Sequence, residues 1–170
     1  GYEYSRTQNP TKEKLEVCLA ALEGGGDCCV FASGLAASTA ILHTLRPGDG
    51  VAAGHDLYGG TYRLLERVFK PWNLRVEYTA DARAESYAGA IAKLDRPRLV
   101  WVETPTNPLL DITDIRAVVE AAHAKGCIVA VDNTFASPYL QSPIALGADL
   151  VVHSTTKYLG GHSDVVGGAV

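Results

Sequence analysis

The stretch IRAVVEAAHAKGCIVAVDNT, residues 115–134, contains a helix-like pattern followed by a strand-like one. Its first part predicts a helix over Ile115–Lys125, and Gly126 is typical of a helix end. Residues Ile128–Asp132 are apolar up to the final aspartate, without the alternation of a half-exposed strand. Such a run is typical of a strand buried on both faces of a sheet. The stretch therefore predicts a helix that leads into a central strand.

The same succession recurs along the whole chain. Short apolar runs predict seven strands, which are Cys28–Ala32, Val51–Gly54, Arg75–Thr79, Leu99–Glu103, Ile128–Asp132, Leu150–His153 and Val165–Val170. Helices are predicted between them, over Leu35–Leu45, Thr61–Phe69, Ala84–Leu94 and Ile115–Lys125. An opening helix has Asn9 as its N-cap, Pro10 at its first position, and apolar residues at helical spacing, namely Leu15, Cys18, Leu19 and Leu22. We therefore expect an α/β fold, a mainly parallel seven-stranded sheet with helices on both faces.

The composition narrows the class of protein. The 170 residues fit one domain, and 47% hydrophobic with 20% charged residues is typical of a globular chain. No apolar run reaches the roughly 18 residues of a membrane-spanning helix, and a net charge of −4 argues against a nucleic-acid partner. The four cysteines contain no C-x-x-C pair, which predicts reduced thiols and a cytoplasmic location. The histidines lack metal-ligand spacing, so no metal site is expected.

Polar residues follow several of the predicted strands. In open α/β sheets the ligand binds outside the carboxyl ends of the strands, so these residues are the first candidates for function. Ser33 and Gly34 open a helix, where a hydroxyl, a glycine and free N–H groups suit a phosphate, although an ordinary helix cap has the same pattern. Ser154 and Thr156, after the sixth strand, add hydroxyl groups at the same edge.

Lys157 lies in the loop after the sixth strand, whereas the other lysines lie on predicted helices or next to Pro71. A lysine amine kept out of water loses its proton more easily and can form a Schiff base with an aldehyde. A lysine that only binds an anion would occupy the same position. Position alone does not separate these two interpretations.

Asp132 ends a strand that is predicted to be buried on both faces. A carboxylate in that place needs a cationic or donor partner. A protonated pyridine ring would meet this need through a charge-assisted hydrogen bond, which is worth about 1.5–3 kcal/mol. An Asp-Asn turn cap is the competing interpretation. A phosphate cradle, an aldehyde-binding lysine and a pyridinium partner together point to pyridoxal 5′-phosphate.

Seven ordered motifs resemble the Cys/Met-metabolism family of pyridoxal-phosphate enzymes, and the resemblance spans essentially the whole chain. The motifs are Tyr4-Ser5-Arg6, Asn9-Pro10-Thr11, FASGLAA at 31–37, LYGGT at 57–61, ETPTNP at 103–108, VDNTF at 131–135, and residues 153–168. Since the motifs occur in the family's order, the resemblance is specific.

The resemblance implies roles for individual residues. Lys157 would hold the cofactor covalently and shuttle protons, Asp132 would bind the pyridine nitrogen, and Tyr58 would stack on the ring and take part in proton transfer. The residues implied to hold the phosphate are Ser33, Gly34, Leu35, Ser154 and Thr156. Asn107 would sit near the ring's phenolic oxygen. Tyr4 and Arg6 would reach the phosphate of a neighbouring subunit, which implies a homotetramer built from two active dimers.

The resemblance also implies γ-elimination or γ-replacement on an amino-acid substrate. The motifs at 31–37 and 103–108 look most like cystathionine γ-lyases, which cleave cystathionine to cysteine, 2-oxobutanoate and ammonia. Residues 154–168 also look like cystathionine γ-synthases, which join cysteine to an O-acylhomoserine. Methionine γ-lyase ranks below both, because enzymes of that kind typically have a cysteine at the position that Gly60 occupies in this chain. Cystathionine β-lyase is a further alternative. A nucleotide-dependent oxidoreductase would need a G-x-G-x-x-G after the first strand, which is absent, and a non-catalytic scaffold is the remaining rival.

The resemblance further predicts how the chain is divided. Residues 1–10 are expected to form an inter-subunit arm, and residues 11–170 the large cofactor-binding domain. The family's arginine for the substrate carboxylate belongs to a smaller C-terminal domain, which we expect to be absent from these residues. We therefore expect the chain to carry the catalytic lysine without the whole substrate site, and to show weak or no turnover by itself.

Overall fold

The computed structural model describes all 170 residues and has a parallel five-stranded sheet at its centre. The strands of the chain are β1 (Val30–Phe31), β2 (Gly50–Ala53), β3 (Arg75–Tyr78), β4 (Pro97–Glu103), β5 (Ile128–Asp132), β6 (Leu150–Val152) and β7 (Gly168–Ala169). The central sheet has the order β3-β2-β4-β5-β6, and every neighbouring pair in it is parallel. The predicted α/β class with mainly parallel strands is confirmed.

The predicted strands are all present, but they do not form one continuous seven-stranded sheet. β1 and β7 pair antiparallel as a separate ribbon, and a single bridge between His153 and Ala169 joins this ribbon to the end of β6. Each ribbon strand has two residues, fewer than predicted. In β7 pairing begins only at Gly168, because the main chain of Gly167 binds the Thr156 hydroxyl. The predicted number of seven strands is therefore right, but five of them form the central sheet and two form the ribbon.

Helices cover both faces of the sheet. They are α1 (Pro10–Glu23), α2 (Gly34–Leu42), α3 (Gly59–Leu64), α4 (Ala84–Ala92), α5 (Ile115–His123) and the short α6 (Ser137–Leu140), with a π-helical turn at Leu65–Phe69 and a 3₁₀ turn at Ile144–Leu146. Several helices end two or three residues before the predicted position. The reason is that the last turn closes with bonds to the third preceding carbonyl, as between the Leu45 N–H and the Leu42 carbonyl.

The core consists of two apolar clusters, one on each face of the sheet. Leu99 and Trp101 of β4 belong to the cluster beneath α2 and α3, whereas Val100 and Val102 belong to the cluster beneath α4 and α5. Successive side chains of a strand point to opposite faces, so β4 supplies both clusters. This explains the unbroken apolar runs in the sequence and fixes the carboxyl ends of the strands at one edge.

The opening helix α1 is only partly buried. Asn9 is its N-cap, as predicted, and accepts the main-chain N–H groups of Thr11 and Lys12. Of the apolar positions predicted to form its buried face, Leu19 is buried, whereas Leu15 and Leu22 are exposed. Leu19 packs in a small cluster beside the ribbon, and this limited contact is why the rest of the apolar face of α1 stays open.

Two findings bear on the predicted cellular setting. None of the helices combines the length and apolar character needed to cross a membrane. All four cysteines are free thiols, with Cys28 and Cys127 buried.

Leu42→Ala should lower the free energy of unfolding by about 2–5 kcal/mol, because Leu42 is fully buried and its removal leaves a cavity beneath α2. Urea denaturation measures the difference. Val17→Ala, at a position of α1 that is 68% exposed, is the matched control and should change this free energy by less than about 0.5 kcal/mol. Equal effects of the two substitutions would contradict the assignment of the core.

Candidate cofactor-binding site

A cavity of about 410 Å³ opens at the carboxyl ends of the central strands. The predicted cofactor contacts that line it are Ser33, Gly34, Leu35, Tyr58, Asn107, Asp132, Ser154, Thr156 and Lys157. These residues follow different strands and are far apart in the sequence. The parallel sheet brings them to one edge, as expected for this architecture.

The start of α2 forms one wall of the cavity. Ser33 is the N-cap of α2, and its Oγ accepts the Ala36 N–H at 3.1 Å. The N–H groups of Gly34 and Leu35 come before the first acceptors of their own helix, so they are available to a ligand. A Cβ on Gly34 would lie 2.7 Å from Cβ of Ser154, so glycine is needed for α2 to begin this close to the end of β6. The wall therefore offers main-chain donors to an anion.

The loop after β6 forms a second wall. The Ser154 N–H donates to Oγ1 of Thr134 at 2.9 Å. The Thr156 hydroxyl donates to the Gly167 carbonyl at 3.2 Å and accepts the Gly167 N–H at 3.0 Å. Because its proton is already engaged, Thr156 must release Gly167 before it can donate to a phosphate.

Asp132 lies at the inner end of the cavity, where β5 ends. Its Oδ1 accepts two hydrogen bonds from Thr134, one from the hydroxyl at 2.6 Å and one from the main-chain N–H at 3.1 Å. Desolvation raises the pKa of Asp132, and the bonds from Thr134 oppose this rise. None of the ion pairs of the chain includes Asp132. The positive charge of His153 also opposes the rise, but Asp132 itself makes no ion pair that would compensate for lost hydration.

Lys157 and Tyr58 lie at the more open part of the cavity. The main-chain N–H of Lys157 donates to the Ser154 carbonyl at 3.1 Å. The side chain of Lys157 is exposed. Tyr58 directly precedes α3, and its side chain is 48% exposed. A lysine amine, an aromatic ring and a shielded carboxylate thus share one cavity.

Tyr4 and Arg6 do not line this cavity. Both are exposed, and the guanidinium of Arg6 lies 5.1 Å from the centroid of the Tyr4 ring. Their predicted role concerns a neighbouring subunit, so it stays a prediction.

Glu103 and Thr134 also line the cavity, although the sequence analysis assigns them no role. Glu103 ends β4 and lies in register with Asp132 of β5. It is 6% exposed, and its Oε2 accepts the Tyr58 N–H at 2.9 Å. Desolvation, followed by the negative charge of Asp132, raises the pKa of Glu103 to about 8. One signal for Glu103 exists in the sequence, since it ends an apolar run just as Asp132 does.

A larger, mainly apolar cavity of about 550 Å³ lies beside α1 and the ribbon. None of the predicted cofactor contacts lines it. Glu23 and His153 form a buried pair in its wall, and the Asn133 side chain donates to the same Glu23 oxygen at 2.9 Å. The chain has no cluster of three or more His, Cys, Asp or Glu residues that could hold a metal ion. We therefore place the candidate site in the smaller cavity.

The smaller cavity fits pyridoxal phosphate in three respects. The start of α2 offers main-chain donors that suit the phosphate. Asp132 makes no ion pair, and a protonated pyridine nitrogen would provide one. Lys157 places an amine in the same cavity for reaction with an aldehyde.

Comparisons with known proteins agree with this fit. A family model described as "Cys/Met metabolism PLP-dependent enzyme" matches residues 1–170. The cystathionine gamma-synthase of Mycobacterium tuberculosis is 55% identical over 171 residues, which cover 100% of this chain and 44% of the relative. The cystathionine gamma-lyase of Bacillus subtilis is 47% identical over 172 residues, with 100% and 44% covered. The crystal structure of metB from Corynebacterium glutamicum superposes with a TM-score of 0.95 at 51% identity, over 99% of this chain and 44% of that one. The chain spans about half the length of the curated relatives it matches.

Glu103→Gln should become more stable relative to the unsubstituted chain as the pH rises from about 5 to about 8. The folded chain raises the pKa of Glu103 from 4.5 to about 8. Between these values the unfolded chain releases the proton while the folded chain keeps it, so the free energy of unfolding falls as the pH rises. Glutamine cannot ionise and therefore escapes this loss.

Urea denaturation at pH 5 and pH 8 measures the effect, which should reach about 1 kcal/mol or more. Glu120→Gln, at an exposed position of α5, is the matched control and should follow the unsubstituted chain. Identical pH dependence for Glu103→Gln and the unsubstituted chain would show that Glu103 is not a shielded acid.

Proposed function

Because the chain belongs to the Cys/Met metabolism family of pyridoxal-phosphate-dependent enzymes, we propose that it provides the cofactor site of an enzyme that makes or breaks the Cγ–S bond of cystathionine. The observation that carries this proposal is one cavity of about 410 Å³ lined by Lys157, Asp132 and the phosphate donors of α2. When bound, pyridoxal phosphate withdraws electrons from an attached amino acid, so that protons leave its carbon atoms more easily.

The two walls of the cavity hold the phosphate in this proposal. Main-chain N–H groups of Gly34 and Leu35 bind it at the positive end of the α2 dipole. The hydroxyl groups of Ser33 and Ser154 add side-chain donors from the two walls. Thr156 contributes its hydroxyl once that hydroxyl leaves the Gly167 carbonyl.

Three other residues orient the pyridine ring. Asp132 binds the ring nitrogen and keeps it protonated, while Thr134 fixes the carboxylate by two hydrogen bonds. Tyr58 stacks on the ring, and Asn107 lies near its phenolic oxygen. Asp132 would then have, with a protonated ring nitrogen, the ion pair that it does not make within the chain.

Lys157 would hold the cofactor through its amine and would move protons on the substrate. Its Nζ would take a proton from Cα. Loss of a second proton from Cβ would supply the electron pair that forms a Cβ–Cγ double bond as the Cγ–S bond breaks, and the sulfur would leave with the electrons of that bond. In the replacement reaction a thiol would add at Cγ.

Two reaction directions have separate support. The motifs at 31–37 and 103–108 favour cleavage of cystathionine, as in cystathionine γ-lyases. Higher identity to relatives named cystathionine gamma-synthase, 55% against 47% for those named gamma-lyase, favours the replacement reaction. We propose γ-cleavage as the first candidate on the basis of these two motifs, and γ-replacement as the second on the basis of the identities.

The wider organisation is proposed on the same basis. Residues 1–10 act as an arm whose Tyr4 and Arg6 bind the phosphate of a neighbouring subunit in a homotetramer. Residues 11–170 form the large domain, and a further domain supplies the arginine for the substrate carboxylate. An amino acid is the substrate, and the cytoplasm is the proposed location.

Lys157→Ala should abolish specific covalent attachment of pyridoxal phosphate, because Lys157 is the lysine of the cavity. The protein is incubated with pyridoxal phosphate, reduced with borohydride and mapped by peptide mass spectrometry. Lys93→Ala, at an exposed position after α4, is the control and should retain the adduct at Lys157. Adducts spread evenly over exposed lysines of the unsubstituted protein would refute the assignment.

The reaction direction is decided in the full-length protein. Release of 2-oxobutanoate from cystathionine without an added thiol is expected for the first candidate. Formation of cystathionine only from an O-acylhomoserine and cysteine would favour the second candidate instead. If the cofactor-loaded protein performs neither reaction, the proposed function is wrong.

A further inference from the structure

Two neighbouring loops carry groups on which the proposed function relies. The loop after β2 carries Tyr58, and the loop after β4 carries Asn107. Glu103 is placed between them, at the end of β4. Its Oε2 accepts the Tyr58 N–H at 2.9 Å, and the main chain of Asn107 lowers the pKa of the same carboxyl group. One buried carboxyl group therefore contacts the main chain of both loops.

The contact with Tyr58 satisfies a main-chain donor at the start of α3. Tyr58 is the N-cap of α3, but its side chain makes no capping hydrogen bond. The N–H groups at a helix start have no acceptor within the helix, so a buried one needs a partner from elsewhere. Glu103 supplies that partner from a position 45 residues away in the chain. This bond fixes the main chain from which the Tyr58 ring extends.

The ring itself is restricted from the other side. A Cβ on Gly60 would lie 3.0 Å from both Cδ1 and Cζ of Tyr58, so the ring packs directly against the start of α3. Glu103 thus holds the main chain of Tyr58, and Gly60 limits the ring on one side. Its position relative to Asp132 is then set by the register of β4 with β5.

We propose that Glu103 is a positioning residue, which holds Tyr58 in place so that its ring meets the cofactor ring at a fixed distance from Asp132. This inference rests on the proposed function. Both the ionised and the protonated carboxyl keep a lone pair for the Tyr58 N–H, so the contact does not require a charge. Glutamine at position 103 should therefore preserve it.

Two other contacts join the same loops and provide a control. Oδ2 of Asp56 accepts the Leu109 N–H at 2.8 Å, and Nε2 of His55 lies 3.0 Å from Oδ2 of Asp111. None of these four residues lines the cavity. Asp56→Ala thus removes a tie between the loops without touching the contact to Tyr58.

The first test measures amide hydrogen exchange in the cofactor-free, full-length protein. Glu103→Ala and Glu103→Met, the latter of similar volume, should each speed exchange of the Tyr58 amide about tenfold, because its acceptor is lost. Glu103→Gln should stay within about threefold of the unsubstituted protein, and so should Asp56→Ala. Unchanged Tyr58 exchange in both the Ala and the Met variants would overturn the proposal.

The second test measures affinity for pyridoxal phosphate by absorbance titration. Glu103→Met should weaken binding about tenfold and Glu103→Gln less than about threefold. In a Tyr58→Ala background the same Glu103→Met change should cost less than about twofold, because the two residues act through one another. An equal cost in both backgrounds would overturn the proposal. If the unsubstituted protein does not bind the cofactor, the proposed function fails, whereas the exchange experiment still decides whether Glu103 holds Tyr58.

Discussion

The site depends on two acids, Glu103 and Asp132, that lie side by side where neighbouring strands end. The sheet is covered on both faces, and the resulting desolvation raises the pKa of each acid. Shielded carboxyl groups are tolerated only where donors or cations reach them. Thr134 donates a hydrogen bond to Asp132, and the Tyr58 main chain donates one to Glu103. These bonds fix the loops that carry Thr134 and Tyr58 to the two carboxyl groups. Asp132 makes no ion pair within the chain, and a pyridinium ring would provide one.

The parallel core was predictable because burial on both faces leaves a local trace. The runs at Leu99–Val102 and Ile128–Val131 contain no polar residue, and both became central strands. The division between sheet and ribbon had no such trace. It depends on the bond of Thr156 to Gly167 and on the bridge between His153 and Ala169, which join residues distant in sequence. A local pattern cannot encode contacts of that kind.

The site was predictable to the extent that it follows from strand ends. Residues directly after parallel strands must share one edge, so Asp132 and Lys157 could be placed in one cavity before the fold was known. Glu103 was visible as a residue at a strand end, but its role needs the register of β4 with β5 and a bond to Tyr58. Thr134 likewise gains its role only when Ser154 approaches it. Position was readable from sequence, whereas hydrogen-bond partners were not.

Gly60 lies against the Tyr58 ring, and this contact limits which side chains position 60 can hold. The resemblance described above implies a cysteine at this position in methionine γ-lyases, where this chain has glycine. A Cβ there would come within 3.0 Å of three atoms of the Tyr58 ring, so a cysteine requires the ring to move away from α3. The Tyr58 main chain, however, is held by Glu103, and the ring must turn about its own side-chain bonds. Residue 60 therefore limits the Tyr58 ring, and Glu103 holds the main chain from which that ring extends. We expect a change at either residue to alter how the ring meets the cofactor.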